Sequence, residues 1–162
     1  MKINMTQLQK QVNALIVFFM VGLILSGLTA FPLETELSWL VALTGNGEGG
    51  MQGWLSDVYQ ALQYTNEHYP FIAYGSDWLA FAHLVIAVAF LGPLRDPVKN
   101  IWVIEFGMIA CLMILPLAFI AGPIRNIPIA WRLIDCSFGV IGLIPLIICH
   151  RKIKQLELYR ET

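Results

Sequence analysis

Charge is scarce in this sequence. Lys, Arg, Asp and Glu make up 13% of its 162 residues, about half the roughly 25% of an ordinary globular chain. Hydrophobic residues reach 57% and the mean hydropathy is +0.68. One water-soluble core could not absorb that much apolar surface at this length, and disordered chains are polar rather than apolar. A formal net charge of −1 offers no basic field for a nucleic-acid partner. Cysteine is nearly missing too. Cys111, Cys136 and Cys149 form no C-x-x-C pair, which excludes the usual thiol-oxidoreductase arrangement, and all three read as small buried apolar residues. The chain has no repeat of fixed period and no low-complexity tract. Its apolar segments lack period-2 alternation, so a transmembrane β-barrel does not fit.

Long apolar runs are what the sequence has instead. Residues 14–31, 78–94, 101–121 and 129–149 each approach or reach the roughly 17–25 residues that cross a bilayer as a helix. The first run is longer than a signal-peptide core and is followed by no small-residue cleavage pattern, so it reads as a retained span. The predicted fold is an all-α integral membrane protein, a four-transmembrane-helix bundle forming a single membrane domain. Eight of the ten Lys and Arg residues fall on one side if both termini are cytoplasmic. The positive-inside bias therefore predicts a multi-pass protein of the cell membrane, with N- and C-termini in the cytoplasm and residues 150–162 as a cytoplasmic tail.

The connections differ in length. Residues 95–100 form a tight inner link in which Asp96 and Pro97 stand as N-cap and first helical residue of span three. Residues 122–128 form an equally short outer link. Residues 32–76 form a 45-residue outer segment with helix-spaced apolar residues in 33–43 (Leu37, Leu40, Val41) and 52–68 (Leu55, Val58, Tyr59, Leu62). Glycine-rich residues 45–50 separate the two and lack the lysine of a phosphate loop. Two amphipathic helices forming an extracytoplasmic cap are expected. Its Trp and Tyr residues suit the headgroup level. Ser76-Asp77 reads as the cap of span two.

Ionisable residues inside spans are expensive, about 2.5–3.5 kcal/mol each at the centre, so chemistry is sought at His83, Glu105, Arg132 and Asp135. At ~1.5 Å per residue, His83 and Asp135 lie at similar depth, roughly 8–9 Å below the outer interface. Arg132 and Asp135 share a helix face. The functional expectation is an outward-facing intramembrane pocket in which His83 contacts a small molecule or redox cofactor, while Asp135 and Arg132 orient it. Pro116, at comparable depth, should kink span three. In the structural alternative, Arg132 pairs with Asp135, and His83 bonds a nearby carbonyl. Glu105 is expected to pair with Lys99 or Arg95, or else to mark one end of a proton path with Asp135.

Cofactor identity is open at this point. A haem or a metal would have to use His83, because His68 and His150 lie outside or at the boundary, and no metal-ligand spacing is present. Small residues at Gly22, Ser26 and Ala30, and at Asp135, Gly139 and Gly142, suit close helix packing within the chain, in a homo-oligomer or in a larger membrane complex. Beside ligand binding, two further classes follow from these residues: a non-catalytic accessory or oligomeric subunit, and a proton-coupled transporter.

Overall fold

The computed structural model describes residues 5–45 and 49–161. They are helical almost throughout, with no strand among them. In order the elements are α1 (Met5–Ala30), α2 (Leu33–Thr44), α3 (Gly50–His68), a 3-10 turn (Pro70–Ile72), α4 (Ala73–Ala89), α5 (Leu91–Arg95), α6 (Ile101–Pro116), a π-helical turn (Leu117–Ala121), α7 (Gly122–Ile124) and α8 (Ile129–Glu161). Four helical stretches are long and apolar enough to cross a membrane: Met5–Ala30, Pro70–Arg95, Ile101–Ile124 and Ile129–Arg160. Large apolar side chains such as Phe18, Trp102, Ile109 and Phe138 point away from the protein interior. That is tolerable where the surroundings are themselves apolar.

The chain divides into two compact units, residues 1–22 with 86–162, and residues 23–85. In the first unit, α8 supplies a continuous seam. Gly139, Leu146 and Ile153 recur every seven residues, as do Gly142, Cys149 and Leu156. This is the spacing that keeps one helix edge against its neighbours. A methyl group built on Gly139 would lie 2.7 Å from the Cys111 carbonyl oxygen, and one on Gly142 would lie 3.1 Å from Cys111 Sγ and 3.2 Å from Phe19. The small stripe on α8 is therefore consumed inside the chain, where it lets α6 approach closely. Gly107 plays the same part on α6, beneath Phe90 and Leu146. Phe90 also stacks at a tilt on Phe19, with centroids 4.9 Å apart.

The ends of α1 and α8 extend further than hydropathy predicts. Residues 150–161 continue the helix: α8 runs 33 residues without a break, about 50 Å at 1.5 Å per residue. Leu8 and Val12 of α1 and Ile153 and Leu156 of α8 are at most 1% exposed. The Cys149 thiol reaches the Val12 carbonyl at 4.0 Å, and Lys152 Nζ donates to Gln11 Oε1 at 2.7 Å. Polar residues lower the mean hydropathy here while the 3–4 spacing of apolar residues continues, so the helix persists although the apolar run has ended.

Residues 95–100 are held by side chains. Asp96 Oδ1 accepts the Lys99 backbone N–H at 3.3 Å, so Asp96 caps the Pro97–Asn100 turn rather than α6 itself. Asn100 Nδ2 donates to the Gly92 and Asp96 carbonyls at 3.1 and 2.9 Å, and Arg160 Nη1 donates to Asp96 Oδ1 at 3.0 Å. Desolvation is the largest single influence on the Asp96 carboxyl and raises it, but the Arg160 and Lys99 hydrogen bonds and charges together outweigh it and hold the group below its usual range.

In the second unit α2 and α3 form a helical hairpin. Leu37 and Leu55 are buried between its helices, Asn66 Nδ2 donates to Glu34 Oε2 at 2.7 Å, and Gln52 Nε2 donates to the Thr44 carbonyl at 2.8 Å. Gly45, Gly49 and Gly50 take positive φ of 80°, 99° and 62°, which glycine adopts at little cost. Gly27 of α1 lies against α4, its missing Cβ 2.8 Å from the Ala80 carbonyl. Helical structure entering α4 begins at Pro70, so Asp77 sits inside the helix and not at its cap. Ser76 Oγ instead donates back to the Ala73 carbonyl at 2.7 Å.

Candidate functional site

Pro116 has no N–H to give the carbonyl one turn earlier. The chain answers with a wide π turn over Leu117–Ala121, a local geometry frequent at functional sites. The helix then ends in a Schellman motif: Ile127 N–H bonds the Gly122 carbonyl at 2.9 Å and Asn126 N–H bonds the Pro123 carbonyl at 3.1 Å. Asn126 takes the left-handed conformation this motif requires, φ 55°. Pro128 follows, and α8 starts at Ile129.

This reversal leaves a cavity of about 240 Å³ between the π turn and the start of α8. Its walls are Ile114, Leu117, Ala118, Ala121 and Ile127, and its polar groups are Arg125, Arg132 and Asp135. The Arg132 stem rests on Gly122, where any Cβ would overlap Arg132 Cδ and come within 2.9 Å of Cγ. Glycine at 122 is thus what admits the arginine. Arg132 Nε is buried and has no hydrogen-bond partner among the described residues. A buried guanidinium N–H left unmatched costs roughly 1–3 kcal/mol or more, which a ligand acceptor would recover.

Arg132 and Asp135 are brought to one cavity as their spacing implies, but the pairing expected between them is not formed: the ion pairs among the described residues are elsewhere. The two side chains leave α8 three residues apart and line the cavity separately. His83 belongs to the other unit, on α4. Its Nδ1 lies 2.9 Å from the Leu79 carbonyl, an acceptor to which an Nδ1–H donates. Glu105 finds neither Lys99 nor Arg95. Its Oε1 lies 3.1 Å from His150 Nε2, because the α6–α8 packing sets Glu105 level with His150 of α8. His150 is fifteen residues beyond Asp135, roughly 22 Å along the helix. The seam between them is built from Gly139, Gly142, Cys111 and Leu146.

Two participants escaped sequence reasoning. Arg125 reads as an ordinary loop cation, and Gly122 as a turn residue. The sequence signal was there in outline, a proline six residues before a Gly-Pro pair, but the cavity depends on how the π turn faces α8. No group of three or more His, Cys, Asp or Glu side chains converges among the described residues. Comparison with protein-family models, curated proteins and solved structures found no significant match.

Proposed function

We propose that this chain is a small integral membrane protein that binds a small molecule bearing an acidic group in the cavity between the π turn and α8. The observation that carries the reading is Arg132, which lines that cavity and whose buried Nε has no hydrogen-bond partner among the described residues. Arg132 would donate to a carboxylate or phosphate oxygen, which gains most where water is excluded. Arg125 adds a second positive charge, and Asp135 supplies an acceptor for a ligand hydroxyl. The remaining walls are apolar and suit a short hydrocarbon portion. Eight of ten basic residues on the side of the termini favour a cytoplasmic location for both ends. The cavity would then face outward.

Octanoate and octyl phosphate, titrated into the protein in a non-ionic detergent, test the reading. The expected result is saturable thermal stabilisation that Arg132→Gln removes and that Arg151→Gln, on the exposed face of α8, leaves intact. Equal stabilisation of the wild type and Arg132→Gln overturns it. A wild type that binds neither compound, with Arg132→Gln simply less stable, is the behaviour of a non-catalytic accessory subunit.

A further inference from the structure

Residues 23–85 hold six carboxylates and not one lysine or arginine. All ten basic residues lie elsewhere in the chain, so an acidic side chain in this unit has no fixed cation of its own unit to pair with. Asp77 makes no ion pair among the described residues. It stands on α4 with Tyr74, Trp78 and Phe81 at i−3, i+1 and i+4, and with Phe31 from the start of the α1–α2 connection these side chains line an open pocket of about 300 Å³. Tyr74 and Trp78 meet at 79° with centroids 6.0 Å apart, and Trp78 and Phe81 meet at 87° with centroids 5.9 Å apart. Both pairs are edge-to-face, so the rings are not stacked flat on one another. All four aromatic residues remain 44–62% exposed.

We propose that Phe31, Tyr74, Trp78 and Phe81, with the Asp77 carboxylate, form a binding site for a quaternary alkylammonium group. A cation within about 6 Å of a ring centroid is held by the ring quadrupole, most strongly by tryptophan. The ring spacings allow one compact cation to meet that condition for more than one ring. Asp77 is the pocket's carboxylate and supplies the negative charge that pairs with a bound cation. A methylated nitrogen suits these walls better than a primary ammonium. It carries no N–H donors, and the pocket gives few acceptors to replace the water an ammonium would lose. Three of the rings occupy one face of α4 beside the carboxylate.

The test is calorimetric titration of the full chain in a maltoside detergent, with choline and with its uncharged isostere 3,3-dimethylbutan-1-ol. Choline should bind at least about tenfold more tightly than the isostere, as cation–ring attraction requires. Trp78→Leu should weaken choline about two- to fivefold, the loss of one exposed cation–ring contact, and Asp77→Asn should weaken it by at least as much, each with the melting temperature unchanged. Trp78→Phe should retain part of the affinity, and Trp102→Leu, on α6, all of it. Equal affinity for the two compounds, no choline binding by folded protein, or binding indifferent to Asp77→Asn and Trp78→Phe overturns the proposal. Native mass spectrometry from mixed phosphatidylcholine and phosphatidylglycerol nanodiscs separates the sources. Selective retention of phosphatidylcholine, lost in Asp77→Asn, identifies a lipid headgroup; choline binding without such retention identifies a free solute.

Discussion

Gly139→Ala is the sharpest probe of how α6 meets α8. The added methyl would stand 2.7 Å from the Cys111 carbonyl oxygen and 3.3 Å from Ile114 Cδ1. A backbone carbonyl cannot rotate aside as a side chain can, so relief requires the helices to separate by some tenths of an ångström. Overpacking of this kind costs about 1–3 kcal/mol. Alanine also gains about 0.8–1.0 kcal/mol over glycine inside a helix, which leaves a net loss centred near 1 kcal/mol. Gly22→Ala isolates the propensity part, since Gly22 lies inside α1 with nothing within 4 Å of its missing Cβ. That variant should gain the propensity and lose nothing. Helix propensity cancels between the two, so Gly139→Ala should be less stable than Gly22→Ala by the full ~1–3 kcal/mol. Denaturant titration in detergent, followed by circular dichroism, measures both. If Gly139→Ala equals or exceeds Gly22→Ala in stability, α6 and α8 do not approach at this point and the account of the seam is wrong. The comparison is well suited to a membrane helix pair, where close packing rather than water exclusion holds helices together.

Other outcomes follow from the same geometry. Leu156→Ala, at a fully buried position, should cost about 2–5 kcal/mol, while Gln155→Ala beside it changes stability by less than about 0.5 kcal/mol; similar effects would show that residues 150–161 are not packed. Gly122→Val should displace Arg132 and reduce binding of octyl phosphate in the titration above, with Gly75→Ala, which meets no neighbour, as the unaffected control. The Asp96 carboxyl is held below its ordinary value, so its contribution is complete above the unfolded value near about 3.9. It disappears as pH falls through the lower folded value. Asp96→Asn should therefore lower the melting temperature at pH 7 and not below that window. The effect should sit at the low end of the roughly 0.2–1 kcal/mol of exposed pairs.

Local pattern was sufficient for much of this molecule. The four apolar stretches follow from hydropathy and length alone. The hairpin helices also fell where apolar spacing put them: residues 33–43 and 52–68 as read, Leu33–Thr44 and Gly50–His68 as found. Leu37 and Leu55, named from periodicity, are the buried residues of that pair. These features depend on residues within a few turns of one another, which is the range a sequence window sees. The ends of α1 and α8 show the limit, because hydropathy falls there while the packing spacing continues through Ile153 and Leu156.

The partners of the polar residues were decided by tertiary structure. Glu105 lies 45 residues from His150, and Asp96 lies 64 residues from Arg160. No spacing rule reaches that far, because helix rotation and axial register are set by the whole α6–α8 seam. The same holds for Pro116. Its missing N–H is written in the sequence, but whether the helix kinks or widens into a π turn depends on what packs against it. The scarcity of charge thus determined where to search, in the few ionisable groups among apolar helices. The meeting of Arg132 with Gly122, Arg125 and a 240 Å³ cavity required the fold, since only a reversed chain brings the end of one helix onto the start of the next.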